Sequence, residues 1–189
     1  MNHENEKETE QKMDVKKEII SWIGYLLFVV VVTYLIIHFV GQRTMVDGRS
    51  MENTLQDQDN LIVEKISYRF SDPERFDIIV FPPYDTKEYY IKRIIGLPGE
   101  TIQIDTDGTI YINGEVLEEN YGKETIKNPG RAVDAITLGD DEYFVLGDNR
   151  NNSTDSRSTK VGNVKRSQII GRAWVRIWPL NKIGFLKHQ

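Results

Sequence analysis

The stretch Tyr89-Tyr-Ile-Lys-Arg-Ile-Ile-Gly-Leu-Pro-Gly99 decides how this chain is read. Its β-branched and aromatic run, closed by Gly96 and Pro98-Gly99, predicts a mostly buried strand. Lys92 stands in the middle of it. Lysine is almost never fully buried without a reason. Burial disfavours the ammonium form, lowers the pKa and gives a neutral amine that can take a proton near neutral pH. The competing reading is a lysine that snorkels out at a strand edge. Two further stretches favour the buried base: Gly48-Arg-Ser-Met-Glu-Asn-Thr-Leu55 offers a nucleophile, and Gly147-Asp-Asn-Arg-Asn-Asn-Ser-Thr-Asp-Ser-Arg157 offers a polar loop to hold the base.

Working outward, 189 residues suffice for one anchored domain rather than two sizeable ones. The net charge of -5 and the lack of a lysine or arginine block set nucleic acid aside as a partner. With no cysteine, thiol catalysis, disulfides and cysteine-based metal sites are all excluded. The three histidines, His3, His38 and His188, lie in a polar tail, in an apolar run and beside the C-terminus. A Ser-His-Asp triad or a histidine metal site would have to be built from poorly placed parts. No metal and no cofactor are expected.

Residues 1–18 are polar, crowded with Glu and Lys, and read as a mobile tail. Ile19 to Val40 contains no Asp, Glu, Lys, Arg or Pro. As a helix it reaches roughly 33 Å, enough to cross a hydrocarbon core. A cleaved signal peptide would have a shorter apolar region and a small-residue cleavage site, which Val40-Gly-Gln-Arg-Thr44 lacks. Lys7, Lys12, Lys16 and Lys17 precede the span, and only Arg43 and Arg49 follow it closely. That asymmetry keeps the N-terminus in the cytoplasm and places residues 41–189 outside, with His38 near the outer interface.

The exterior part reads as all-β. Asn60 to Ile66 and Asp77 to Phe81 are short apolar runs. Ile102, Ile104, Ile110 and Ile112 alternate with polar residues around Asp107-Gly108, a hairpin pattern, and Asn113-Gly114 supplies a second turn before Glu115-Val-Leu117. Residues 118–140 read as a long loop or an excursion from the core. Glu142 to Leu146 is a strand that delivers Gly147, and Gln168 to Trp178 is a long closing strand. By period-2 counting Trp174, Arg176 and Trp178 share one face of it, a set suited to the lipid headgroup region or, equally, to ordinary packing. Many short strands with turn signals predict a sandwich or barrel rather than βαβ units.

Ser50 needs a base within hydrogen-bond reach, and Lys92 is the chemically unusual candidate. Gly48 lets the backbone come close to a substrate carbonyl, and the Ser50 N–H is a candidate oxyanion donor. In the second polar stretch, a calcium loop is disfavoured by Arg150 and Arg157 and by the lack of a following bidentate Glu. Asp148 or Asp155 paired with Arg157 or Arg150 would make a fixed scaffold. From it the Ser153 hydroxyl could hydrogen-bond the lysine amine and aim its lone pair.

Over about residues 15–187 the chain resembles the bacterial type I signal peptidases of the short, single-span Gram-positive form. Four segments match in order: Gly48 to Leu55, Arg75 to Phe81, Lys92 to Gly99 and Gly147 to Arg157. Gly171-Arg-Ala-Trp174 with Trp178-Pro179 resembles the family's closing strand. The resemblance implies a mostly antiparallel β catalytic domain, all-β in class, preceded by one N-terminal transmembrane helix. It implies domains at 1–18 (cytoplasmic tail), 19–40 (span) and 41–189 (extracytoplasmic catalytic domain). It implies a membrane-bound serine endopeptidase that cleaves signal peptides from exported preproteins after a small-x-small motif, with these peptides and the lipid bilayer as partners. Ser50 would be the nucleophile, Lys92 the general base, Ser153 the lysine-orienting residue, and Asp155 and Arg157 structural supports. Val46, Met51, Leu55, Tyr90 and Ile91 would line the pocket for the residue before the cut. Three positions depart from the pattern. Asn53 stands in place of proline, Phe76 in place of glycine, and Gly48 where some relatives have an oxyanion-hole serine. Two rival readings are a self-cleaving serine–lysine protease of the repressor type and a catalytically inactive membrane-tethered β module that only binds.

Overall fold

The computed structural model describes residues 2–35, 41–83 and 88–186. It divides into two compact units, residues 1–40 and 41–189. The first unit is a single helix, α1 (Asn2–Leu35). Its segment Val15–Leu35, with a mean hydropathy of 2.0, is long and apolar enough to cross a membrane, and its side chains face outward. The helix begins well inside the stretch expected to be a mobile tail. That stretch is rich in Glu, Lys and Gln, which are good helix formers. Residues 36–40 of the expected span, His38 among them, lie outside the described residues, as does His188.

In the second unit every strand pairing among the described residues is antiparallel. The larger sheet contains β1 (Gly41–Met45), β2 (Asn60–Glu64), β3 (Ile78–Phe81), β4 (Tyr90–Gly96), β9 (Glu142–Leu146), β10 (Val164–Lys165), β11 (Gly171–Trp178) and β12 (Gly184–Phe185). Its order is β1-β2-β11-β3-β4-β9-β10, with β12 added to β11. The smaller sheet contains β5 (Thr101–Ile104), β6 (Ile110–Ile112), β7 (Glu115–Val116) and β8 (Ile136–Thr137), in the order β7-β6-β5-β8.

The hairpin expected around Asp107-Gly108 is β5–β6, with Ile102 opposite Ile112 and Ile104 opposite Ile110. Alternation buries these four isoleucines against Ile95, Phe144 and Leu146 of the larger sheet. The stretch 118–140 proves to be an excursion rather than an open loop. Tyr121, Ile126, Ala132 and Leu138 are buried, and Ile136 pairs with Ile102 to close the smaller sheet. Its apolar residues are too widely spaced to give a periodic signal.

β4 runs between β3 and β9, which explains the continuous apolar pattern of the opening stretch: six of its seven residues are buried. Ile91 joins the core of Val46, Met51, Leu55, Leu61 and Val63, whereas Ile94 joins that of Ile79, Phe81 and Tyr143.

The closing strand departs from expectation in two ways. It starts at Gly171, because Arg166–Gln168 forms a tight 3-10 turn. It also carries register shifts against β2 between Ala173 and Val175 and between Arg176 and Trp178. Such bulges break period-2 counting. Trp174 and Trp178 remain about half exposed, at 44% and 52%, but Arg176 turns inward to Asp59, 3.1 Å away. The expected Trp-Arg-Trp face is therefore a tryptophan face without its arginine.

β11 also lies hard against β2. A Cβ on Gly171 would fall within the van der Waals shell of the Glu64 carbonyl oxygen, whereas one on Gly184 would meet nothing within 4 Å. Gly171→Ala is expected to lower stability by about 2 kcal/mol, since backbone cannot yield as a side chain can. Gly184→Ala should stay within about 0.5 kcal/mol of the parent. Thermal unfolding of the two variants in detergent compares them.

Candidate active site

Ser50 lies in a single helical turn after β1. The turn is closed by Glu52 N–H on Arg49 O (3.1 Å) and by Leu55 N–H on Met51 O (2.8 Å). Met51 and Leu55, four apart, point into the core beneath and anchor the turn. Lys92 projects from β4 beside it, and 2.7 Å separates its Nζ from Ser50 Oγ. The amine also donates to Ile91 O at 3.0 Å and lies 5.0 Å from the Tyr90 ring centroid. Lys92 is 4% exposed. Desolvation brings its pKa down from 10.5 to about 8, against the smaller opposing pull of the Asp155 and Asp148 carboxylates. With the amine neutral, the Ser50 hydroxyl can donate to its lone pair.

The polar loop after β9 holds this arrangement from behind. Asn149 N–H donates to Ser50 O (3.0 Å), and Asn149 Nδ2 donates to Arg49 O (3.0 Å). Glycine is required at 147, because a Cβ there would meet the Ser153 side chain and lie 2.5 Å from Ser50 O. Asp155 accepts from Arg157 Nε (2.9 Å) and Nη2 (2.8 Å) and also from Gly147 N–H (3.1 Å). This is one of the expected scaffold pairings. Asp148 and Arg150 instead find partners that the sequence reading did not name. Arg150 pairs with Glu119 at 2.6 Å. Asp148 is gripped by Arg93 through Nε (2.9 Å) and Nη2 (2.8 Å) and accepts from Thr54 Oγ1 at 2.5 Å. Arg93 is fully buried, with the Tyr121 ring centroid 3.6 Å from its guanidinium. An arginine beside Lys92 in an apolar strand was the available signal, because such a charge needs a bidentate carboxylate.

Two expected contacts are not formed. The Lys92 amine bonds to Ser50 and Ile91 but not to Ser153, whose buried hydroxyl has no hydrogen-bond partner among the described residues. Ser153 lines a separate cavity of about 460 Å³ with Asp155 and Arg157. Leu55 lies fully buried in the core and does not line the groove. Val46, Met51, Tyr90 and Ile91 do line it, with Ser50 and Lys92, around a cavity of about 440 Å³. Gly48 has φ +90 and spends its N–H on Asp57 Oδ1 at 2.9 Å, while no acceptor among the described residues takes the Ser50 N–H. Among the described residues no three His, Cys, Asp or Glu side chains converge as metal ligands would.

The family model for signal peptidase, peptidase S26, matches residues 19–178. The chain belongs to this signal peptidase family. It is 46% identical over 154 residues to the probable signal peptidase I-2 of Synechocystis, covering 78% of this chain and 68% of that protein. It is 36% identical over 184 residues to the signal peptidase I of Bacillus amyloliquefaciens, covering 94% of this chain and 97% of that one. The crystal structure of a signal peptidase I from Enterococcus faecalis V583 overlaps 54% of this chain and 97% of its own, with 38% identity and a TM-score of 0.43. Family membership makes the chain a peptidase. It also gives meaning to two of the three departures from the pattern. Phe76 adopts φ +72, a left-handed conformation that glycine takes freely, and Asn53 adopts φ +103, which proline's ring forbids.

The buried lysine has a consequence for stability. Its folded pKa, about 8, lies below its unfolded value near 10.5. The unfolded chain therefore binds the proton more tightly between these limits. Stability rises with pH across that window, and the full cost of the buried charge is borne below pH 8. Lys92→Met keeps an unbranched side chain one atom shorter and removes the charge. At pH 7 it is expected to be the more stable protein, by on the order of 2 kcal/mol after allowance for lost hydrogen bonds. The gain should vanish near pH 10.5 in paired thermal-unfolding curves.

Proposed function

We propose that the chain is a membrane-anchored serine endopeptidase that removes signal peptides from exported preproteins, cutting after a small-x-small motif. The observation that carries this reading is the 2.7 Å approach of Ser50 Oγ to a lysine amine that desolvation keeps near pKa 8. The relatives named signal peptidase I support the substrate class. Ser50 Oγ attacks the carbonyl carbon of the scissile bond as Lys92 takes its proton. The Ser50 N–H stabilises the oxyanion. Collapse of the tetrahedral intermediate breaks the C–N bond, and Lys92 returns the proton to the leaving amine. Lys92 then takes a proton from the water that attacks the ester, the C–Oγ bond breaks, and the ammonium returns that proton to Ser50 Oγ as the carboxylic acid product leaves.

Ser153, Asp155 and Arg157 act in this reading through the loop that fixes the Ser50 turn. The apolar run Ile19 to Val40 spans the bilayer, with the lysine-rich end cytoplasmic and residues 41–189 outside. The exposed Trp174 and Trp178 suit the headgroup region. An extended substrate lies along the groove as an added strand, with its side chain before the cut against Val46, Met51, Tyr90 and Ile91. These walls leave room for Ala, Gly or Ser.

The test is cleavage of a peptide containing Ala-x-Ala by detergent-solubilised protein. Turnover should climb as pH rises through about 8, where Lys92 loses its proton, and level off above. Ser50→Ala and Lys92→Arg should both be inactive while folded by circular dichroism, since arginine stays protonated. An active, folded Lys92→Arg enzyme would rule out the pair. In a second comparison, Leu or Phe in place of the alanine before the cut should slow cleavage roughly 10- to 100-fold. Equal rates would sink the pocket assignment.

A further inference from the structure

The turn that carries Ser50 contains no proline, and Asn53 within it sits at φ +103. Asparagine is one of the few residues that tolerates such a conformation, and it leaves the chain free to take others. Something else must fix the end of this turn. Thr54 is the node. Its hydroxyl donates to Asp148, whose carboxylate holds Arg93, the neighbour of Lys92 in β4. Its carbonyl accepts from Arg176 Nη2 at 2.9 Å. The other side of the same guanidinium, Nη1, lies 3.1 Å from Asp59 Oδ2, and Asp59 in turn accepts from Gln56 N–H at 2.9 Å. One partly buried side chain on β11 thus bridges both ends of the segment 54–59, by which the serine turn returns to β2. Asp59 O also accepts the Val46 N–H at 2.8 Å, just ahead of the turn.

We infer that Arg176 is a positioning residue for the proposed nucleophile: by capping Thr54 O and pairing with Asp59, it sets the distance between Ser50 and Lys92. A guanidinium at the last carbonyl of a turn is a C-terminal cap, with the charge on the favourable end. Here the capped turn has its first residues at the reacting atoms and its last hydroxyl on the network that borders Lys92. Releasing Thr54 O lets the turn tilt about its Met51 and Leu55 anchors. Substrate binding depends on the groove walls and is left in place. Turnover depends on the Oγ–Nζ approach and is not.

The inference rests on the Ser50–Lys92 reading. In the peptide assay, turnover by the parent and its loss in Ser50→Ala establish that reading before the arginine is changed. Arg176→Met is then compared with Val164→Ala, a cavity variant in the separate core of Ile79, Tyr143 and Val145. Both are assayed at 15 °C, below their unfolding transitions. The expected result is a kcat reduced about 10- to 100-fold in Arg176→Met with KM within twofold of the parent, against a near-parental kcat in Val164→Ala. Arg176→Lys, which can still reach one of the two acceptors, should recover part of the kcat. Should Arg176→Met not fold, Arg176→Lys is read against the same control, and a kcat below that control supports the role. Arginine variants that lose no more kcat than Val164→Ala, or whose loss lies in KM alone, overturn it.

Discussion

Two adjacent cations buried in one strand govern this structure. Alternation along β4 sends Lys92 to the groove and Arg93 to the opposite side. Their fates differ because their chemistry differs. A guanidinium cannot shed its charge, so Arg93 has to be matched, and Asp148 meets it with two parallel hydrogen bonds under the Tyr121 ring. An ammonium can shed its proton. Lys92 is given no carboxylate in hydrogen-bond contact, only a hydroxyl, a carbonyl and an aromatic face. Had Asp148 reached Lys92 instead, the amine would be held in its charged form. The pairing of Arg93 is thus part of what keeps Lys92 unpaired.

The loop 147–157 follows from the same constraint. A carboxylate at 148 and another at 155 both raise the Lys92 pKa through space, and each is itself paired with an arginine. Desolvation remains the larger effect. Gly147 lets this loop press on the Ser50 carbonyl, so Ser50 and the loop that carries these ion pairs are locked together by backbone contacts. Backbone contacts set a hydroxyl–amine distance more firmly than long side chains would, since fewer rotatable bonds intervene.

Much of this was legible beforehand because it rests on local rules. The buried strand of Lys92, the isoleucine hairpin and the Asp155–Arg157 pair all sit within a few residues of their own signals. What escaped depends on long-range packing. Arg93 finds Asp148 across 55 positions, and Arg150 finds Glu119 in the polar stretch where no periodicity points. The face of β11 was misjudged because bulges are set by the neighbouring strand, not by the strand's own sequence. Leu55, one helical turn beyond Met51, lies too deep in the shared core to reach the groove that Met51 lines. The Ser153 contact, expected from the polar loop and from the resemblance, is not formed: the hydroxyl makes no hydrogen bond to the lysine.

Two of the three departures from the family pattern, Phe76 and Asn53, show how such a site absorbs change. Phe76 holds a left-handed backbone that costs a bulky residue of order 1 kcal/mol or more. Its carbonyl still accepts from Arg93 Nη1 at 2.8 Å, its N–H still reaches Ile94 O, and its ring packs 5.2 Å from that of Tyr121. The ring thus covers the aromatic that lies over Arg93, and burial of a phenyl group offsets the backbone cost. Asn53 lies in the serine turn itself, but its side chain makes no hydrogen bond within the network. Both residues bear on Arg93 and Thr54 through backbone geometry, and neither supplies a group to the Ser50–Lys92 contact. Substitution at these positions strains the frame around the pair while the pair itself stays held by β4, by the loop after β9 and by the cap on Thr54.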